Sequence, residues 1–183
     1  REDKNPWERR APLTPEDVAE LTRRSEVRFL IQKSPLRIFP DEEYRKAGAT
    51  LTEDLSPCAI VLAIKEITAP LLQCGKTYVF FSHTTKGQKG NMPMLSRLLS
   101  LGSSLVDYEK ITDDQGQRLL AFGRYAGLAG MLDTLWILGR RLASEGIANP
   151  FSSLLPAHGY PSLEEALRAV PRAGQALRKP GSL

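Results

Sequence analysis

The sequence predicts an α/β fold with a mainly parallel sheet flanked by helices. Three observations point to it. Short apolar runs rich in Val, Ile, Phe and Tyr alternate with stretches that carry helix start and stop signals. Two of these runs, Ala59-Ile60-Val61-Leu62-Ala63-Ile64-Lys65-Glu66 and Thr77-Tyr78-Val79-Phe80-Phe81-Ser82-His83-Thr84-Thr85-Lys86, read as buried strands that end abruptly in ionisable residues. The length of 183 residues, 42% of them hydrophobic and 25% charged, is that of one globular domain with a real core and a short tail.

Taken in order, residues 1–13 are charged and irregular. Thr14 is placed as an N-cap, with Pro15 at the first helical position and acids in the first turn, and Arg23-Arg24 close that helix. Val27-Arg28-Phe29-Leu30-Ile31-Gln32 reads as a strand. Residues 40–47 read as a short helix with Gly48 past its end, and Ala49-Thr50-Leu51 as a short strand.

The strands before Lys65 and His83 follow. A Gly-containing polar loop leads into a helix around Met94, Leu95, Leu98 and Leu99, which Gly102 ends. Residues 104–109 form another strand. The turn Asp113-Asp114-Gln115-Gly116 joins it to residues 117–122 as an expected hairpin. Gly123 opens a long helix with apolar residues at Leu128, Met131, Leu132, Leu135, Trp136 and Leu142, spaced by three and four. Gly146 and Asn149-Pro150 end it. Ser162 caps a further helix, and from Pro171 onward the composition suggests a frayed tail.

Lys and Arg number 25 against 21 Asp and Glu, for a net charge of +4 spread along the chain. Nothing resembles a basic nucleic-acid arm, and no apolar run approaches the ~18 residues of a membrane span. Cys58 and Cys74 have no C-x-x-C spacing or nearby His, so neither zinc nor a disulfide framework is expected. The chain opens at Arg1 without Met, as after removal of a leader or a first strand.

In open α/β sheets, ligands bind outside the carboxyl ends of the strands. Lys65, Glu66 and His83 would share such a crevice. A lysine acts as a base near neutral pH only if burial or a nearby cation lowers its pKa. The residues alone are also compatible with a snorkelling Lys65 and a structural His83. His158 falls in a loop and reads as structural or exposed.

Several segments, in one order, carry a resemblance. They are Arg1-Glu2-Asp3-Lys4 through Glu8-Arg9-Arg10-Ala11-Pro12-Leu13-Thr14-Pro15, Phe80-Phe81-Ser82-His83-Thr84, Asp107-Tyr108-Glu109-Lys110 and Ala121-Phe122-Gly123-Arg124-Tyr125-Ala126-Gly127. Asn149-Pro150-Phe151 and Ala157-His158 continue it less closely. Residues 1–170 thereby resemble the lysine–2-oxoglutarate reductases, the saccharopine-forming half of α-aminoadipic semialdehyde synthase. The wider group includes alanine dehydrogenase, the transhydrogenase substrate-binding half and the saccharopine dehydrogenases.

The resemblance implies a Rossmann-like, three-layer substrate domain. It implies condensation of lysine with 2-oxoglutarate and reduction of the imine, with NADPH as cofactor of the full-length enzyme. It implies Lys65 and His83 as the acid–base pair and Arg10 as a carboxylate-binding arginine. Glu66, Lys86, Glu109 and Arg118 correspond to charged positions near related active sites. A G-x-G-x-x-G after a strand is missing: Gly123, Gly127 and Gly130 are spaced differently. The cofactor-binding domain is therefore expected outside this chain, which alone would bind no cofactor and be inactive. The resemblance also allows a homo-oligomer. The location implied is the mitochondrial matrix in an animal and the cytoplasm elsewhere. Two alternatives stand beside this reading: another saccharopine or alanine dehydrogenase relative, and a non-catalytic 2-oxo acid-binding regulatory module.

Overall fold

Helix α1 (Pro15–Arg24) begins where the sequence places it. Thr14 Oγ1 accepts from Asp17 N at 3.1 Å, and the Asp17 carboxylate accepts from Thr14 N at 2.7 Å, a closed capping box. This computed structural model describes residues 2, 5 and 7–177. The chain divides into two compact units, Arg1–Leu120 and Ala121–Leu183, where the sequence reading has one domain to residue 170.

In the first unit, β1 (Leu30–Ile31) pairs in parallel with β2 (Thr50–Leu51), and α2 (Asp41–Lys46) makes the crossover. Val18, Tyr44 and Ala49 are buried beneath them with Phe29, Ile31 and Phe39 packed around. The Tyr44 hydroxyl donates to Leu13 O at 2.7 Å and fixes the segment before α1. The strand expected over residues 27–32 pairs only at Leu30 and Ile31, because its partner offers only two residues.

A second sheet has the order β3-β4-β5, formed by Ile60–Leu62, Thr77–Phe80 and Ser104–Asp107, all parallel. Helix α3 (Met92–Ser100) carries the chain from β4 to β5. It packs Met94 and Leu98 on Tyr78, Phe80 and Leu72, with Val61 and Leu105 alongside. Pairing is in register, so Val61, Tyr78 and Leu105 share the core face. Ile60 and Leu62 point the other way and are 60% and 39% exposed. The run before Lys65 is thus an edge strand with one open face, not the fully buried strand its continuous apolarity suggests.

At the amino end of β4 lies a buried amine. Lys76 Nζ donates to the main-chain oxygens of Leu55 at 3.3 Å, Ser56 at 2.7 Å and Cys58. This ties the loop before β3 to the start of β4.

The expected hairpin is reduced to one antiparallel bridge, Thr112↔Arg118. Asp107 Oδ1 accepts from Glu109 N at 2.8 Å and turns the chain into a 3-10 turn, Tyr108–Lys110. β5 ends there, before it can continue into the arm of a hairpin.

The second unit holds α4 (Gly123–Ser144), which buries Leu132 and Gly139, and α5 (Leu163–Leu177). Phe151, in the 3-10 turn Pro150–Ser153, lies so close to Gly139 that a Cβ there would meet the Phe151 carbonyl carbon at 2.6 Å. Asn149 holds this approach, donating from Nδ2 to Gly139 O at 3.2 Å. The tail expected from Pro171 is helical as far as Leu177; residues 178–183 lie outside those described. Buried Ala166 and Ala173 lie on either side of Pro171 in sequence, so the packed face of α5 continues past the lost N–H.

The glycines of α4 therefore divide by sign. Gly130→Ala meets nothing within 4 Å and is expected to raise stability by about 0.5–1 kcal/mol through helix propensity. Gly139→Ala is expected to lower it, because the clash is with backbone. Paired denaturation midpoints measure both.

Candidate active site

The three parallel strands end side by side, and most of the ionisable residues singled out from the sequence lie at those ends. Beyond β3, the Ile64 and Lys65 N–H groups have left the sheet. They donate to Glu2 Oε1 at 2.6 Å and Glu2 Oε2 at 3.3 Å. This fixes the backbone of half-buried Lys65. Burial pushes the Glu2 carboxyl above its ordinary pKa, although these two bonds oppose the shift.

Arg10 meets Glu8 as a planar fork. Arg10 Nε donates to Glu8 Oε1 at 2.8 Å and Nη2 donates to Oε2 at 2.6 Å. Glu8 is only 7% exposed. Burial alone would raise its pKa. The bonds from Arg10, with the charges of Arg10 and Lys65, outweigh burial and hold it below the usual value. The same contact raises the pKa of Arg10. The sequence reading names Arg10 and misses both Glu2 and Glu8. Two isolated acids in a charged, irregular start give no periodic signal; only the fold brings Glu2 to Lys65.

His83 stands just beyond β4, with Nδ1 3.3 Å from Glu66 Oε2. Among the described residues it is the one non-glycine with positive φ, at 50°. A left-handed residue with a Cβ costs about 1–2 kcal/mol, so the surroundings must enforce it. Asn91 Nδ2 donates to the carbonyls of Ser82 at 3.2 Å and His83 at 3.4 Å. Ser82, fully buried, bonds the Asp107 carboxylate, and its hydroxyl lies 2.7 Å from Thr84 Oγ1. Phe81 and Tyr108 pack edge to face at 5.0 Å.

Beyond β5, Glu109 accepts from Thr85 Oγ1 at 3.0 Å and from Arg118 Nη1 at 3.2 Å. Hydrogen bonds thus join the Lys65 backbone with Glu2, Glu66 with His83, and Glu109 with Arg118, and the Lys65 charge also acts on Glu8. Lys86 is exposed, and only its backbone N–H is bonded among the described residues, to Gln88 Oε1 at 3.1 Å. His158 is exposed in a 3-10 turn of the second unit. No three His, Cys, Asp or Glu side chains among the described residues group to hold a metal, and no helix of the described chain is long and apolar enough to cross a membrane.

The arrangement can hold an anion at a guanidinium already oriented by a carboxylate, and can move a proton through an imidazole oriented by another. It defines a class: a parallel α/β domain with an acid–base cluster at the carboxyl ends of its strands. The chain belongs to the alanine dehydrogenase/PNT N-terminal domain family, whose sequence pattern residues 1–129 match.

Over 174 residues and 95% of its length, it is 43% identical to the mitochondrial alpha-aminoadipic semialdehyde synthase of Rattus norvegicus, and covers 19% of that protein. Against the alpha-aminoadipic semialdehyde synthase of Arabidopsis thaliana it is 43% identical, covering 97% of this chain and 17% of the other. Against the saccharopine dehydrogenase [NAD(+), L-lysine-forming] of Neurospora crassa the values are 33%, 91% and 44%. The chain thus spans about a fifth of the rat and plant relatives. A solved L-alanine dehydrogenase superposes with a TM-score of 0.61 at 20% identity, over 81% of this chain and 41% of that one, and shows the Rossmann-like fold.

The left-handed histidine and the buried carboxylates can each be measured. His83→Gly should be more stable than His83→Ala by about 1 kcal/mol, reversing the usual order, since both lose the imidazole and only glycine accepts the left-handed backbone freely. Denaturant midpoints decide it. Glu8, with its folded pKa depressed, adds stability above its unfolded value of 4.5 and loses it as pH falls through the lower folded value. Glu2, with its pKa raised, acts with the opposite sign. The melting-temperature difference between wild type and Glu8→Gln should therefore be larger at neutral pH and shrink on the acid side.

Proposed function

We propose that this domain is the substrate side of a lysine–2-oxoglutarate reductase, which joins lysine to 2-oxoglutarate and forms saccharopine. The observation that carries the reading is the pairing of His83 with Glu66 beside the Arg10–Glu8 fork and Lys65. Identity to the semialdehyde synthases over almost the whole chain supports it.

The chemistry divides among these side chains. Arg10, kept planar and aimed by Glu8, receives a substrate carboxylate. Lys65 and His83 carry the protons. The ε-ammonium of lysine loses a proton to the base, its nitrogen attacks the ketone carbon of 2-oxoglutarate, and a second proton passes from that nitrogen to the ketone oxygen, giving the carbinolamine. The protonated base then returns its proton to the carbinolamine hydroxyl, which leaves as water and gives the protonated imine. With Nδ1 turned to Glu66, the Nε2 of His83 is the atom for these transfers. Glu109 and Arg118 bind the substrate at the β5 side, and Lys86 offers a cation from the loop.

A nicotinamide cofactor supplies the hydride that reduces the imine, and NADPH is the form proposed. Among the described residues no G-x-G-x-x-G follows a strand: Gly123, Gly127 and Gly130 lie within α4, and the loop from β4 to α3 carries Gly87 and Gly90 alone, without the spacing that cradles a pyrophosphate. The cofactor is therefore assigned to a domain outside residues 1–170, and the location to the mitochondrial matrix in an animal, in line with the rat protein's name, and to the cytoplasm elsewhere. The same missing motif favours one competing reading, a 2-oxo acid-binding regulatory module.

Purified chain given lysine, 2-oxoglutarate and NADPH should show no turnover, yet bind 2-oxoglutarate in calorimetry, with at least about tenfold weaker binding for Arg10→Met, the equivalent of one 1.4 kcal/mol contact. Supplying the cofactor-binding domain in trans should restore saccharopine formation; binding without turnover in that mixture would favour the regulatory module. In the restored system His83→Asn and Lys65→Met should each cut turnover by about 10²–10⁴ with little change in melting temperature. Full turnover in both variants would reject the acid–base assignment.

A further inference from the structure

Asn91 ends the 3-10 turn Lys89–Asn91 that runs straight into α3, and its side chain bonds none of that helix's N–H groups. Its side-chain nitrogen instead donates to Ser82 O and His83 O, the two carbonyls that bracket the left-handed residue. On the other side, Ser82 Oγ is bonded to Asp107 and accepts from Thr84 N at 3.2 Å, and Asp107 is 7% exposed. The residues on both sides of His83 are therefore held from outside. Asn91 is itself fixed by its backbone N–H, which donates to Gln88 O at 3.0 Å.

We propose that Asn91, braced by the Ser82–Asp107 pair, is a positioning residue that imposes the left-handed backbone of His83 and so aims its imidazole at Glu66. Its amide thus serves the strand end and not the helix it precedes. In an extended or right-handed conformation the Cα–Cβ bond of residue 83 would point elsewhere, and the ring would lose Glu66. The catalytic meaning of this device rests on the acid–base reading of His83; the conformational control does not.

The test is nuclear magnetic resonance of the isotopically labelled chain, with His83→Asn used to separate the signals of its two histidines. A positive φ gives a strong cross-peak between the His83 amide and α protons. Contact with Glu66 makes the imidazole resonances respond to Glu66→Gln. Wild type should show both. Asn91→Asp, of equal size but without the donating amide, should lose both, as should Asn91→Ala, while the core resonances stay dispersed. Should Asn91→Asp not fold, Asn91→Ser, too short to reach both carbonyls, reads the same two signals.

Persistence of the strong cross-peak and of the Glu66 response in a folded Asn91 variant overturns the proposal. Turnover separates it from the functional reading. Full activity of His83→Asn in the restored enzyme would defeat the acid–base role and leave this positioning intact. An essential His83 whose pH profile is unmoved by Asn91→Asp would defeat the positioning alone.

Discussion

Three strands that run in one direction must all stop at the same edge of their sheet, and whatever follows them is delivered there together. β3, β4 and β5 obey this constraint, and most of the candidate site depends on it. Each strand leaves the ladder with N–H and C=O groups that need new partners. Glu2 takes the N–H groups of Ile64 and Lys65, Asn91 takes the carbonyls of Ser82 and His83, and Asp107 takes the N–H of Glu109. Ending the sheet and building a polar cluster are one event.

The cluster is also graded in how tightly it is held. Glu8 and Asp107 are buried, and each is bonded by a specific donor. The groups that Glu8 and Glu66 orient are more open: the Arg10 side chain is 41% exposed and that of His83 36%. Deep carboxylates thus anchor shallower cations and rings, so that a ligand meets groups whose orientation is already fixed. This preorganisation lowers the cost of binding, since little side-chain freedom remains to be lost.

Much of the architecture is legible in the sequence because local chemistry and tertiary packing agree. Thr14-Pro15 starts a helix by capping alone, and the α3 and α4 patterns follow the helical period. The strand run before Lys65 reads as buried on both faces, because apolarity does not reveal which side of a sheet is covered. Pro171 reads as a helix end, although packed positions on both sides of it outweigh one missing N–H. The hairpin after residue 109 looks sound from its turn, yet Asp107 has already ended the strand. Of the site, Arg10, Lys65 and His83 stand out by chemical type and resemblance. Glu2 and Asn91 do not, since each acts across a sequence gap on backbone atoms, which leaves no pattern; Glu8, two residues from Arg10, lies in an irregular segment with no period or cap to mark it.

The end of the sheet away from the chemistry has its own consequence, through Lys76. Its ammonium sits among the main-chain oxygens of Leu55, Ser56 and Cys58, which take up its three N–H bonds. Reagents or enzymes that acylate amines would reach the surface lysines first and Lys76 only when the loop before β3 detaches. Its acylation would then be a footprint of that opening, a clock for local unfolding built into the foot of the central strand.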